Sequence, residues 1–261
     1  MVRLGASIEE TGMIPEAKLR EAAACVAEFA AVARSLQTER LQVLVTSPAR
    51  QASNGDELVE RLGRAARVPV SLLSADEEGR LAYAGALSRT PTPGGKLVAV
   101  CDVGGGSSQV TIGTREEGPA WTRSIEIGSL RLTSRFFSHD PPGLPATRAA
   151  RDEVVRLLDG LAPPPPHLAL AVGGTARALR RLTGAALSRS ELDAAVRTLA
   201  STPRAELEAS YDLDPGRAQT LLGGAIILAA IRERLGVALA VARGGLREGA
   251  ALELAARRAA A

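Results

Sequence analysis

Lys96-Leu-Val-Ala-Val-Cys-Asp102-Val-Gly-Gly-Gly-Ser-Ser-Gln109-Val-Thr-Ile-Gly113 decides how the rest of the chain is read. An apolar run ends on an acid, three glycines and two serines come next, and a second apolar run begins. Leu97 to Cys101 reads as a buried strand, and Val110 and Ile112 as the start of the next. Between them Gly104, Gly105 and Gly106 lack a Cβ, so their backbone N–H groups can close on an anion, and Ser107 and Ser108 add hydroxyl donors. Asp102, at the mouth of the strand, is placed to hold a hard cation such as Mg²⁺ or to orient a water. A Walker loop is excluded, because no Gly-Lys-Ser/Thr follows and no helix opens there. The plain alternative is a glycine-rich hairpin turn without a ligand.

Composition narrows the classes. The 261 residues are 46% apolar and 23% charged, enough for a sizeable core in one large or two small domains. A net charge of +3 is too small to point to nucleic acid or a membrane surface, and six aromatic residues (Trp 1, Tyr 2, Phe 3) leave little on which bases could stack. Lys18 and Lys96 are the only lysines; the other basic residues are arginines, which suit bidentate phosphate contacts. Cys25 and Cys101 lie in apolar periodic segments and behave as small core residues, and His139 and His167 are isolated, so no disulfide scaffold or zinc pattern emerges. No signal-peptide pattern opens the chain, and the Leu221–Ile231 apolar run is too short for a bilayer and reads as a buried helix, so a cytoplasmic protein is expected.

Helix and strand alternate along the chain, which predicts an α/β architecture. A helix is expected over Pro15–Leu36, a strand over Leu41–Val45, a helix over Gly55–Ala66, a strand over Val68–Leu73 and a helix over Glu77–Leu87. Thr90-Pro-Thr-Pro-Gly-Gly95 then punctuates. Beyond the glycine hairpin come a strand (Ala120–Ile127), helices near Ser129–Phe137 and Thr147–Leu158, and a strand (Leu168–Val172) ending in Gly173-Gly-Thr-Ala-Arg177. Helices fill most of the remainder before a short strand (Leu239–Ala242), Arg243-Gly-Gly-Leu-Arg-Glu-Gly249 and a last helix. A strand followed by a loop of small residues thus occurs at Thr46, Asp102, Gly173 and Gly244, as when several loops converge on one cleft at the strand ends of an α/β sheet.

These residues resemble the exopolyphosphatase / guanosine pentaphosphate phosphohydrolase (Ppx/GppA) family of the actin-like, ribonuclease-H-like superfamily. Thr46-Ser47-Pro-Ala-Arg50-Gln-Ala52-Ser-Asn54 is similar to the family's T-S-A-x-R-x-A-x-N loop, and Glu77-Glu78-Gly-Arg80-Leu81 to its E-E-A/G-R-L segment. Asp102 to Gln109 is similar to D-I-G-G-G-S-T-E, and Gly128-Ser-Leu-Arg131-Leu to the G-x-x-R-L that succeeds it. Gly173-Gly-Thr175-Ala and Gly245-Leu-Arg247-Glu-Gly249 resemble two late motifs, and the matches keep the family's order from Arg3-Leu-Gly5 to the end.

The resemblance implies a two-lobed actin-like α/β fold, with one lobe over residues 1–95, the other over 96–261, and the last helix returning to the first. It implies a Mg²⁺-dependent hydrolase that removes terminal phosphate from inorganic polyphosphate or guanosine pentaphosphate; a homodimer stays open. Glu78 corresponds to the general base that activates water, the alternative being a solvated first helical turn. Arg50 would clamp phosphate oxygens and Ser47 complete that cradle, against an arginine on a solvated helix face. The glycine turn (Gly104, Gly105, Gly106, Ser107, Ser108) and Gly174 with Thr175 would bind phosphate, though Thr175 equally suits a helix cap at Ala176. Asp102 would hold Mg²⁺ beside residue 109, against a role capping the glycine turn; Arg131 equally suits the scaffold or a phosphate, and Arg247 and Glu248 would serve the scaffold as an ion pair between lobes.

The chain departs from the family pattern in three ways. It starts after the family's opening Asp-Ile-Gly-Ser/Thr-Asn-Ser loop, so the first lobe is expected to be incomplete at its N-terminus; Gln109 replaces the closing glutamate; and the chain has the short, two-domain length. A non-catalytic binder of polyphosphate or an alarmone nucleotide is the first rival expectation. A sugar-kinase-like or actin-like ATPase is the second.

Overall fold

The structure is a computed structural model that describes residue 2, residues 4–5 and residues 8–259; Arg3, at the head of the family-like order, lies outside them. It forms two compact units, residues 1–75 with 253–261, and residues 76–252.

In the first unit a single-turn helix, α1 (Ile8–Thr11), precedes α2 (Glu16–Ser35), β1 (Val43–Val45), a second single-turn helix α3 (Ser47–Gln51), α4 (Gly55–Ala66) and β2 (Val70–Leu72). Pro15 caps α2, where a missing N–H costs nothing. Leu19 and Ala22 on α2 and Leu58 and Leu62 on α4 recur at helical spacing and bury against Val45, Ile8 and Ile14. The Asn54 side chain accepts from the Ile14 N–H (2.8 Å) and donates to the Ile14 carbonyl (2.9 Å), pinning the segment before α2 to the start of α4. β1 and β2 pair in parallel, Val43 opposite Val70 and Val45 opposite Leu72. The stretch read from sequence as a loop after β1 therefore contains the turn of helix that carries Ser47 and Arg50.

The second unit opens with α5 (Ala75–Arg89), then β3 (Val98–Val103), β4 (Ser108–Thr114), β5 (Gly118–Ile125), α6 (Ser129–Phe136), α7 (Leu144–Leu157), β6 (Leu168–Val172), α8 (Gly173–Thr183), β7 (Ala186–Leu187), α9 (Arg189–Ser201), α10 (Arg204–Tyr211), α11 (Pro215–Leu235) and β8 (Leu239–Val241). α12 (Leu246–Ala259) comes last, its residues through 252 belonging to this unit and the rest to the first. Six strands form one sheet in the order β5-β4-β3-β6-β8-β7. β3, β6 and β8 run parallel, so their C-terminal ends share one edge of the sheet, where the turn at 104–107, the start of α8 and the 242–245 loop all emerge.

Alternation along the strands separates two cores. Ala99, Cys101, Val103, Ala169 and Ala171 face a core shared with Leu132, Leu179 and the α11 residues Leu221, Ile226 and Ile227. Val98, Val100, Leu170 and Val172 face the opposite core, built with Ala82, Tyr83, Ala86 and Leu87 of α5. That packing explains why the compact units part at 75/76 and not at the Thr90–Gly95 loop: α5 is the cover of this sheet. α11 is buried on nearly all sides, as its unbroken apolar run requires. Among the described residues no helix is long and apolar enough to cross a membrane.

Candidate active site

Period-two alternation puts Asp102 on the same sheet face as Val98 and Val100, the face that α5 covers. Asp102 lies within β3, one residue short of its end, opposite Gln109 on β4 and Val172 on β6. Glu78 sits in the first turn of α5 and is 7% exposed, which rules out the solvated helix-start reading. The two carboxylates feel each other: burial first, and the Glu78 charge second, push the Asp102 carboxyl up to about 6, and Arg177 opposes them. Gly173 makes the close approach possible. Its φ is +84°, and a Cβ there would stand 2.7 Å from Asp102 Oδ1, so α8 starts directly against the carboxylate.

The glycine turn beyond Asp102 is held from behind. Gly104 N–H donates to the Ser107 carbonyl (3.0 Å), closing the hairpin. The Gly104 carbonyl accepts from the Ser129 N–H (2.8 Å) and hydroxyl (3.1 Å), and the Gly105 carbonyl from the N–H groups of Leu130 and Arg131 (3.0 Å each). These are first-turn donors of α6, which have no partner inside their own helix. Gly128 allows the contact, since a Cβ there would strike the Gly105 carbonyl. In a trans peptide the N–H points opposite the carbonyl, so the Gly105 and Gly106 N–H groups face away from α6. Among the described residues none accepts from them. An anion could.

Besides Gly104, whose N–H closes the hairpin and is not free for an anion, three of the expected phosphate ligands have other work. Ser108 is fully buried and donates to the Ile127 carbonyl at 2.6 Å, so it braces the sheet. Its position in β4, not in the turn, accounts for the difference. Ser108→Ala is accordingly expected to cost about 1–3 kcal/mol of stability, read by denaturant unfolding, with kcat unchanged. Thr175 is 1% exposed and donates to the Val103 carbonyl (3.2 Å), tying α8 to β3; α8 already begins at Gly173, with Val172 in the cap position, so Thr175 is not a cap. Ser107, 2% exposed, accepts from Gln109 Nε2 (3.0 Å), which also reaches the Ser124 hydroxyl (3.4 Å). With Nε2 so engaged, Oε1 is the Gln109 atom open to a cation. Gly174 stands at the start of α8, in contact with the Arg217 guanidinium.

Ser47 and Arg50 belong to the first unit. Ser47 is 3% exposed and its hydroxyl meets no partner among the described residues, a buried polar group awaiting one. Arg50 is half-buried and donates to the Leu73 carbonyl, which closes α3 onto the chain leaving β2 and keeps the guanidinium off a solvated face. Arg131 donates to the Glu126 carbonyl (2.7 Å) and acts as scaffold. Glu248 accepts from the Gly245 N–H (2.9 Å), capping α12 locally in place of the expected ion pair with Arg247. Sequence reasoning passes over Arg177. It stands four residues after Gly173, one helical turn along, and that spacing is the available signal.

The model of the Ppx/GppA phosphatase family matches residues 1–258. The chain belongs to that family. It is 31% identical to exopolyphosphatase 2 of Mycobacterium tuberculosis, over 98% of this chain and 87% of that protein. It is 27% identical to a guanosine-5'-triphosphate,3'-diphosphate pyrophosphatase of Vibrio atlanticus, over 97% of this chain and 52% of the longer protein. The solved Aquifex aeolicus Ppx/GppA enzyme superposes with a TM-score of 0.78 at 26% identity, covering 97% of this chain and 88% of that one.

In this Ppx/GppA member the α5-facing side of β3 presents oxygen donors to a divalent cation. Among the described residues no three His, Cys, Asp or Glu side chains gather as a metal cage. The donor set is instead two carboxylates, the half-buried Asp102 and the buried Glu78, against a cradle that a single Cβ at Gly173 would fill. Oxygen donors in small number fit Mg²⁺, which keeps waters and shares substrate phosphate oxygens.

Proposed function

We propose that the chain is a Mg²⁺-dependent phosphoanhydride hydrolase of the exopolyphosphatase type, releasing terminal phosphate from inorganic polyphosphate or guanosine pentaphosphate. The observation that carries the reading is the pairing of the buried Glu78 with the half-buried Asp102 beside the glycine turn, in a chain of the Ppx/GppA family. Glu78 accepts the proton of the attacking water, and its burial keeps the carboxylate from competing solvent. The Gly105 and Gly106 N–H groups take the oxygens on which charge develops. Asp102, with Gln109 Oε1 nearby, would hold the cation, which when bound neutralises phosphate charge. Arg50 and Ser47, within the first unit, are donors of the kind that hold phosphate oxygens.

The test is release of orthophosphate from polyphosphate and from guanosine pentaphosphate by the purified chain, with Mg²⁺ and with chelator. Mg²⁺-dependent release is expected; its absence with both substrates would refute the reading. The neutrality of Gln109 favours a second reading, a family member that binds polyphosphate or an alarmone without cleaving it, and binding without release would identify it. If the neutral side chain only weakens the cation site, Gln109→Glu should lower the Mg²⁺ concentration for half-maximal activity several-fold. The Ser107 and Ser124 hydroxyls can donate to the new carboxylate as readily as they accept from the amide. An unchanged Mg²⁺ titration would place residue 109 outside the cation's reach.

A further inference from the structure

At the end of α6 the second unit holds a cavity of about 220 Å³ that shares no lining residue with the candidate active site. Leu199 of α9, Leu207 of α10 and Leu222 of α11, all buried, form its floor, and the half-buried Phe137 ring flanks it. Thr133, one helical turn before Phe137, lines the same cavity and is 5% exposed. Its hydroxyl meets no partner among the described residues. Buried hydroxyls are ordinarily bonded, so this one is a hydrogen-bonding group held ready at the inner end of the cavity. The rim carries charge, but in balance. Arg204 Nε meets Asp140 Oδ2 (3.2 Å), and Asp140 Oδ1 accepts from the Arg204 N–H (3.0 Å), which closes the 138–143 loop onto α10. His139 is engaged through Nδ1 with the Ser138 hydroxyl (2.9 Å).

The balance of charge selects against an anion. A phosphate or carboxylate would set its charge against Asp140 and find the single guanidinium of the lining already paired. The leucine floor instead asks for a hydrophobic body and Thr133 for one polar group, the usual division of labour in a small-molecule site. Phe137 favours a ring, which it can meet edge to face. An apolar cavity of about 150 Å³ takes a benzene molecule, so on the same ratio this one accommodates about nine non-hydrogen atoms. We infer that the cavity between α6, α9, α10 and α11 is a binding site for a small uncharged aromatic molecule that carries one hydrogen-bonding group, an amide or a hydroxyl, bonded by Thr133. Such binding does not depend on the phosphohydrolase reading, and it takes a ligand of different chemistry from phosphate.

The test is NMR titration of the isotope-labelled chain with benzamide and with sodium benzoate, its anionic counterpart of the same shape. Benzamide should bind the wild type at roughly millimolar affinity or tighter, as suits a molecule of that size. Its amide shifts should cluster at Thr133–Asp140, Leu199–Leu207 and Ala218–Leu222. Benzoate should bind at least about fivefold more weakly. Thr133→Val keeps the shape and removes the hydroxyl, and should weaken benzamide about five- to tenfold. Ala218→Leu extends a buried wall residue of α11 into the cavity and should abolish binding. Circular dichroism verifies that both variants fold; should Ala218→Leu unfold, the Thr133→Val series and the shift map decide alone. A wild type that binds no benzamide, shifts outside those segments, benzoate bound as tightly, or affinity unchanged in Thr133→Val or in folded Ala218→Leu would overturn the site.

Discussion

Glu78→Gln is expected to lower the rate of phosphate release by about 10²–10⁴ while substrate affinity stays within a few-fold. The amide keeps the size of the carboxylate in a position 7% exposed, so packing at the start of α5 is preserved. What disappears is the proton acceptor. A second consequence separates this from a structural role. The Glu78 charge helps hold the Asp102 carboxyl up near 6, so its removal should move the Asp102 titration downward in the metal-free protein, as NMR of the carboxyl carbon can follow. Unchanged turnover would reduce Glu78 to a buried helix-start acid. An unmoved Asp102 titration would mean that the two groups are not coupled.

Asp102→Asn should trade activity for stability. The asparagine carries no charge for a divalent cation, and a loss of at least about 10² in metal-supported turnover is expected. In the metal-free protein the sign is opposite. Burial and Glu78 raise the Asp102 carboxyl from 3.8 to about 6, so between those values the folded state binds more protons than the unfolded chain. The native fold therefore loses this contribution as pH rises from about 4 to 6, by up to roughly 3 kcal/mol. The substituted amide does not titrate. Denaturant unfolding of both proteins should give similar stabilities near pH 4 and a gap in favour of the variant that opens toward pH 7, and Mg²⁺ should narrow it by stabilising only the wild type. A wild type as stable as the variant at pH 7 without Mg²⁺ would contradict the raised carboxyl.

Much of the fold is written locally in the chain. The limits of α4 and β6 follow from the Leu58–Leu62–Ala66 spacing and from the Leu168–Val172 run bounded by Gly173. The glycine turn and its acid announce themselves by composition. Periodicity does not carry the partner across the sheet. Ser108 belongs to the turn in one dimension and to the sheet in three, because its register opposite Val103 aims the hydroxyl at Ile127. Thr175 likewise resembles a cap until β3 is laid beside α8 and offers the Val103 carbonyl. The loop at Thr90–Gly95 has every mark of a boundary, yet the burial of Tyr83 and Ala86 against β3 and β6 binds α5 to the sheet on the far side of that loop. Arg177 offers only its spacing from Gly173, since charged residues on a helix are ordinarily solvated and only the fold brings this one within reach of the Asp102 charge.

The commitment of the Gly104 and Gly105 carbonyls to α6 fixes the electrical polarity of the two peptides that present the Gly105 and Gly106 N–H groups. A flip of either peptide plane would break bonds to the first turn of α6, so carbonyl oxygens cannot be swung outward to greet a cation. On the proposed reading those two peptides face negative charge only, and a cation is left to the carboxylates one strand-end away. On that reading ligands of opposite sign would have separate seats before either arrives, and binding one would not require the backbone to be re-dealt for the other.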